Sequence, residues 1–147
     1  VQYNKVIKKP SNPKRSKYTF AGWYTDSKLT KAWDFNTKIK SGKTLYAKWK
    51  KISLKQAVIS KVQNVSGKKI KVTVKKVSGA DGYQIQYSTK SNMKSAKTVT
   101  SSKTTTTISK LSKGKKYYVR VKAYKKDSTG KKVAGKWSKV KNFKVSK

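Results

Sequence analysis

The sequence predicts an all-β chain in which a small β module precedes a larger β-sandwich. Two observations predict the sandwich: after residue 52, apolar and polar residues alternate along several short segments, and clusters of Gly, Ser and Asp separate these segments. A third observation predicts the small module, because Trp, Tyr and Phe are concentrated between residues 18 and 49. No segment shows the apolar spacing of an amphipathic helix, so we expect mainly strands.

Composition excludes most enzyme classes. The chain has 147 residues, with 40 Lys or Arg against 4 Asp or Glu, a formal net charge of +36, and neither His nor Cys. Disulfides, thiolate nucleophiles, imidazole bases and His/Cys metal sites are therefore excluded. A pair of catalytic carboxylates would have to come from four scattered aspartates. We predict a chain that is not an enzyme, with no catalytic residue, no cofactor and no metal.

High charge and a mean hydropathy of −0.85 are also typical of disordered chains. However, the chain contains 4 Trp, 9 Tyr and 3 Phe, and its Val and Ile residues are regularly spaced. These residues can form cores. We therefore expect folded domains whose surfaces are rich in lysine.

The first module, residues 1–50, is marked by three aromatic motifs. They are Tyr18–Asp26 (YTFAGWYTD), Trp33–Phe35 (WDF) and Thr44–Trp49 (TLYAKW). Gly22 allows a tight bend in the first motif, and Trp23 and Trp49 are candidate structural residues that supply apolar area. Asp26 and Asp34 flank Trp33 and are predicted to be turn residues, in preference to a glycosidase pair.

These motifs resemble the Listeria–Bacteroides repeat, the B-repeat of internalins, which is a small β-grasp-like module of bacterial surface proteins. The resemblance covers residues 1–50 but lacks the strand with which the family repeat begins. A missing strand implies a sheet edge with unpaired backbone groups. We therefore expect a monomer at low ionic strength, and weak association through Val1–Ile7 when salt screens the charge.

The second module, residues 52–147, has seven predicted strands. Strong period-two alternation marks three of them, at 70–74, 83–87 and 117–123. Weaker segments fit four more strands, at 57–62, 96–100, 104–109 and 140–145. Seven short strands in roughly 95 residues are typical of a two-sheet sandwich.

A tyrosine corner is predicted in this module, because Tyr117 opens a strand six residues after Leu111. With Gly82–Tyr87 (GYQIQY) and Gly135–Ser138 (GKWS), this pattern resembles the fibronectin type III domain, which implies a seven-stranded β-sandwich. Val74 stands where that family usually has a core Trp, and we expect Trp137 to fill part of that volume.

One face of the sandwich is a candidate ligand site. If the apolar residues of the strands at 83–87 and 117–123 point inward, the residues between them share the outer surface of one sheet. Two interpretations remain open: aromatic, amide and cationic groups could stack on a sugar, or the tyrosines could cover lysine stems through cation–π contacts. The candidate residues are Gln84, Gln86, Tyr118, Arg120, Lys122 and Tyr124.

The lysine excess also leaves two interpretations open. It could bind anionic cell-wall or host polymers without specificity, or it could only solubilise the chain. Arginine occurs only at positions 15 and 120, which argues against sequence-specific nucleic-acid binding. Residues 130–136 resemble a phosphate-binding loop, but Trp137 stands where that loop needs Ser or Thr.

Together the two resemblances imply a non-catalytic segment of a larger bacterial protein, located at the surface of a Gram-positive cell or secreted from it. No window reaches the length of an apolar membrane span, so membrane insertion is not expected. The segment would act as a spacer or display module and could support adhesion. The alternatives are non-specific binding of teichoic acid, sulfated or sialylated glycan or nucleic acid, and an accessory domain of a secreted hydrolase.

Overall fold

A computed structural model describes residues 2–146, so the predictions for Val1 and Lys147 lie outside the described part. It divides into two compact units: unit 1 contains Val1–Ile52 and Asp127–Lys131, and unit 2 contains Ser53–Lys126 and Lys132–Lys147. All regular elements of the described residues are strands. They are β1 (Tyr18–Tyr24), β2 (Tyr46–Lys51), β3 (Ile59–Val65), β4 (Lys69–Val74), β5 (Gly82–Ser88), β6 (Lys97–Ser101), β7 (Thr105–Ile108), β8 (Lys116–Lys126), β9 (Lys132–Ala134) and β10 (Lys141–Lys144).

Unit 1 is built around the antiparallel pair β1–β2. The register of this pair shifts between Phe20 and Gly22. Gly22 has a φ of 121°, a backbone angle that residues with a side chain rarely adopt. Phe20 meets Trp23 and Trp49 edge-on, with ring centroids 5.4 and 5.7 Å apart. These aromatic residues are only half-buried, so large rings replace a fully enclosed core in this unit.

The segment that precedes β1 is partly paired. The Asn4 amide donates to the Ile39 carbonyl at 2.7 Å, the Ile39 amide donates to the Lys5 carbonyl at 2.9 Å, and Val6 bridges Lys38. The Asn4 amide and the Lys5 carbonyl thus have backbone partners on Ile39, whereas the open sheet edge and the association through Val1–Ile7 stay predictions.

The segment Asp127–Lys131 belongs to unit 1 although it is distant in sequence. The Lys17 amide donates to Asp127 Oδ2 at 2.8 Å, and the Arg15 amide donates to Ser128 Oγ at 2.6 Å. Asp127 Oδ1 also accepts from the Thr129 hydroxyl at 2.6 Å. The Thr129 hydroxyl, followed by the Lys17 amide, lowers the pKa of Asp127 to about 2.

Unit 2 is a two-layer sandwich. One sheet has the order β3-β4-β7, and the other has the order β10-β8-β5-β6, with β9 paired to the far end of β8. In the described residues the two sheets have three and five strands. Because β9 and β10 both run beside β8 as two pieces of one interrupted edge, they count together as one of the predicted seven. The two inner faces meet in one core of buried residues. Its largest fully enclosed side chains are Ile70, Val72, Ile85, Val119, Val121 and Val145.

The predicted tyrosine corner is present. Tyr117 is 8% exposed, and its hydroxyl accepts a hydrogen bond of 3.0 Å from the Ser112 amide, next to the buried Leu111. A second tyrosine, which the sequence did not single out, acts in a similar way: the Tyr83 hydroxyl accepts from the Val77 amide at 2.9 Å. Both phenols therefore fix turns to the ends of core strands.

Candidate functional site

The six candidate residues lie where the alternation predicts. In the antiparallel pair β5–β8, Gln84 stands opposite Lys122, and Gln86 stands opposite Arg120. Tyr118 and Tyr124 pair with the two ends of β5. The residues between them are buried on the inner face, so all six belong to the outer side of this sheet.

A hydrogen-bonded row crosses three strands of this face. Arg120 Nε donates to Gln86 Oε1 at 2.9 Å, and Gln86 Nε2 contacts Thr98 Oγ1 at 3.3 Å. The row joins β8, β5 and β6, so the guanidinium group and the amide are already engaged with protein atoms. These hydrogen bonds stiffen the sheet and leave fewer free donors and acceptors in the row for a ligand.

Trp137 also lies on this face, and its expected role in the core is wrong. Its ring lies 4.4 Å from the Arg120 guanidinium carbon and 4.4 Å from Lys122 Nζ, and it is half-buried and outside the core cluster. Residues 135–140 break the strand between β9 and β10, so sequence alternation could not tell which side Trp137 takes. In this segment the Ser138 amide donates to the Val121 carbonyl at 2.7 Å, and the Val121 amide donates to the Ser138 hydroxyl oxygen at 3.0 Å.

The two tyrosines of the face differ in accessibility. Tyr118 is half-buried with Lys116 Nζ at 5.6 Å from its ring. Tyr124 is only 7% exposed, lies under Lys132 Nζ at 4.9 Å and packs tightly over Gly82. Tyr124 is therefore a packing residue. These contacts favour the cation–π interpretation over stacking on a sugar.

Chemically, this face offers cations, amides and one partly accessible phenol. Such groups can bind anions or polar surfaces, but they supply neither a general base nor a nucleophile. Within residues 2–146, no group of three or more metal-ligating side chains is assembled.

Asp26 and Asp34 have the turn positions predicted for them. Asp26 accepts from the Lys31 amide at 2.8 Å and from the Thr30 hydroxyl at 2.7 Å, and these bonds lower the pKa of Asp26. Asp34 accepts from the Asn36 amide at 2.9 Å. Both carboxylates therefore stabilise local turns.

The described residues contain no helix long and apolar enough to cross a membrane. Two family models match the chain in succession. The Listeria–Bacteroides repeat domain matches residues 1–48, and the fibronectin type III domain matches residues 59–136.

Two curated proteins of Evansella cellulosilytica are similar to the first module. They are named "Putative Gly-rich membrane protein" and "Putative membrane protein", with 49% and 43% identity over 49 residues. That stretch is 33% of this chain but only 6% and 7% of the two relatives.

Solved structures resemble the second module in fold. The chicken CNTN1 FN1-FN3 domains match with a TM-score of 0.54 and 22% identity, covering 71% of this chain and 37% of that chain. The 6th fibronectin type III domain of human fibronectin type III domain containing protein 3 matches with a TM-score of 0.52 and 19% identity, covering 66% and 90%. With the sandwich topology, the tyrosine corner and the family match over more than half of its length, the chain belongs to the fibronectin type III family, and a Listeria–Bacteroides repeat precedes that domain.

Proposed function

We propose that this chain is a non-catalytic module of a larger bacterial protein at the cell surface or in the secreted fraction, where it spaces and displays other parts of that protein. The succession of the two modules carries the proposal, because the first is a repeat of bacterial surface proteins and the second belongs to a typically non-catalytic family. The names of the two Evansella relatives, which describe membrane proteins, support a place at the cell envelope.

The physical properties of unit 2 suit a spacer. Its core is closed by two sheets, and its two buried phenols tie the turns to the strands. A sandwich with a single enclosed core keeps its shape without a ligand or a disulfide. The positive exterior also opposes self-association, which helps a displayed module remain separate from its copies.

Cell fractionation tests this location. Antibodies against the full chain should detect the parent protein in the envelope fraction or in the culture medium, and not in the cytosol. A cytosolic marker protein serves as the control for lysis. Detection of the parent protein only together with that marker would overturn the proposal.

Binding of anionic polymers is the second candidate function, and the uncompensated charge favours it. Among the described residues there is one salt bridge, between Lys125 and Asp81 at 3.5 Å. The carboxylates of Asp26, Asp34 and Asp127 are engaged with turn and loop backbone groups. The positive charges of most lysines are therefore not neutralised by a carboxylate of the chain, and the resulting positive potential attracts polyanions.

Salt dependence tests this second function. If binding depends on charge alone, the logarithm of the binding constant should fall linearly with the logarithm of the salt concentration, with a slope of about −0.9 per neutralised phosphate on duplex DNA. Heparin, teichoic acid and DNA should compete at equal charge. Tight binding that survives about 0.5 M salt would contradict a purely non-specific mode.

A further inference from the structure

A small basic pocket opens in unit 2 at the end of the sandwich where β5 leaves the sheet. Its volume is about 220 Å³. Residues from the β5–β6 turn, from the start of β6 and from the loop before β8 form its walls. Four exposed lysines line it. They are Lys90, Lys94, Lys97 and Lys110.

Partly buried hydrogen bonds fix both walls of this pocket. Ser88 is 6% exposed, and its hydroxyl donates to the Lys94 carbonyl at 2.8 Å and accepts from the Lys90 amide at 3.1 Å. On the other side, the bond from the Ser112 amide to Tyr117 holds the loop next to Lys110. The backbone that carries the lysines is thus organised before any ligand binds, which reduces the entropy cost of binding.

Two residues of the pocket have left-handed backbone conformations. Ser95 has a φ of 55° and Lys110 a φ of 58°, and Met93 in the same turn has a φ of 60°. Such conformations are uncommon for residues other than glycine and are concentrated at ligand-binding positions. Here they set the course of the turns on which Ser95 and Lys110 lie.

The pocket has no acidic neighbour within its own unit. Asp81 is the one acidic side chain of unit 2, and it precedes β5, whose seven residues separate it from Ser88 by about 20 Å. It is also occupied, because it accepts from the Lys126 amide at 2.7 Å and contacts Lys125 at 3.5 Å. Four positive charges around a concave surface therefore focus a positive potential in it.

Size and lining define the ligand that this field selects. The cavity is smaller than the roughly 300–1,000 Å³ of sites for drug-sized molecules, but it can hold one charged group with its carrier. Thr89, Ser95 and Tyr87 also line the pocket. Hydroxyls of Thr and Ser can donate to anionic oxygens, and a tyrosine ring adds apolar surface. We propose that this pocket binds a single phosphate or sulfate ester carried on a polyol or a sugar. The inference rests on the polyanion binding proposed above and assigns it to one site.

Chemical-shift mapping on the labelled full chain tests the site directly. Glycerol 3-phosphate and glucosamine 6-sulfate are titrated separately at about 0.15 M salt, where long-range attraction is screened. We expect saturable shifts concentrated in the amides of residues 88–97 and 110–112. A stronger response to the phosphate or to the sulfate identifies the carrier as a polyol phosphate polymer or a sulfated glycan. Shifts spread evenly over the lysine-bearing strands, or no saturable shifts, would overturn the site.

Two charge-matched variants separate the pocket from general charge. Lys94→Gln with Lys110→Gln removes two charges from opposite walls. Lys61→Gln with Lys75→Gln removes two exposed charges beside the far end of β4. The pocket pair should weaken binding of the small esters by about tenfold, and the control pair by less than about twofold. Amide dispersion checks that both variants fold.

Binding of poly(glycerol phosphate) and heparin distinguishes the proposed pocket from the proposed non-specific binding of polyanions. If both variants lose the same polymer affinity and the wild-type protein shows no local shifts, the pocket is wrong but non-specific polyanion binding stands. If the wild-type protein binds neither the esters nor the polymers, both proposals are wrong.

Discussion

Tyr117 connects the start of β8 to the loop before it through one hydrogen bond. Tyr117 is 8% exposed, its ring stacks on Phe143 with centroids 5.9 Å apart, and its hydroxyl accepts from the Ser112 amide. Tyr117→Phe keeps the ring and removes only this acceptor. We expect unit 2 to lose about 1–2 kcal/mol of unfolding free energy, because Ser112 lies near the surface and water partly replaces the acceptor.

Chemical denaturation followed by the amide signals of unit 2 measures this loss. Tyr118→Phe is the matched control, because Tyr118 is the next residue and faces outward; its effect should stay within about 0.5 kcal/mol. Equal effects of the two substitutions would contradict the assignment of a corner.

Asp127 makes the stability of unit 1 dependent on acid. Its pKa falls from an ordinary 3.8 to about 2, chiefly through the Thr129 hydroxyl and then through the Lys17 amide. Since the folded state lowers this pKa, the stabilisation is complete above about pH 4 and is lost as the pH falls through about 2. We expect the thermal midpoint of unit 1 to drop between pH 4 and pH 2, and Asp127→Asn to lack part of this drop.

The control is Asp34→Asn, whose carboxylate accepts one bond from the Asn36 amide. This variant should retain the drop of the wild-type protein in that range. Identical pH profiles for the wild-type protein and Asp127→Asn would show that the bonds of Asp127 do not carry the effect.

Gly82 is needed at the start of β5 because the neighbouring strand comes too close for a side chain. An added Cβ would meet the Ser101 carbonyl oxygen at 2.6 Å and the Tyr124 hydroxyl at 2.8 Å. Gly82→Ala should therefore destabilise unit 2 by about 2–3 kcal/mol through overpacking. Gly42→Ala is the control, since a Cβ there meets nothing within 4 Å. Wild-type stability of Gly82→Ala in denaturant titrations would contradict the close approach.

At the scale of elements, alternation is sufficient to predict the strands of unit 2 that bury one face in the core, such as β4, β5 and β8. Ile70, Val72 and Val74 lie on the inner side of β4 as their spacing predicts. The short β9 was missed because Lys132, Val133 and Ala134 follow a glycine-containing turn and carry little apolar signal. The pairing of Asn4 and Lys5 with Ile39 was also missed, because isolated backbone bonds leave no side-chain pattern.

The candidate face was predicted in position but not in its contacts. The period-two rule placed Gln86 and Arg120 on one surface, because pairing of their strands follows from the sandwich. It could not place Trp137 beside Arg120, since that segment is irregular. Nor could it find the pocket of Lys94 and Lys110, which depends on loops that meet only in the folded chain.

For the whole molecule, we expect the net charge of +36 to control association. The Debye length falls from about 30 Å at 0.01 M salt to about 3 Å at 1 M, so repulsion between copies fades as salt rises. We expect light scattering to report a monomer at low salt and only weak association at high salt, since Asn4 and Lys5 are already paired. A dimer at low salt that dissociates as salt rises would contradict this expectation, and deletion of residues 1–7 tests the role of that segment.

Labelling of lysines on intact cells tests most directly whether the chain is a surface module. A membrane-impermeant amine reagent is applied to the cells that make the parent protein, and the modified lysines are mapped by mass spectrometry. We predict modification at exposed positions such as Lys61, Lys71 and Lys94 while a cytosolic marker remains unmodified. Modification of these lysines only after lysis would contradict the surface location and, with it, the proposed role in spacing and display.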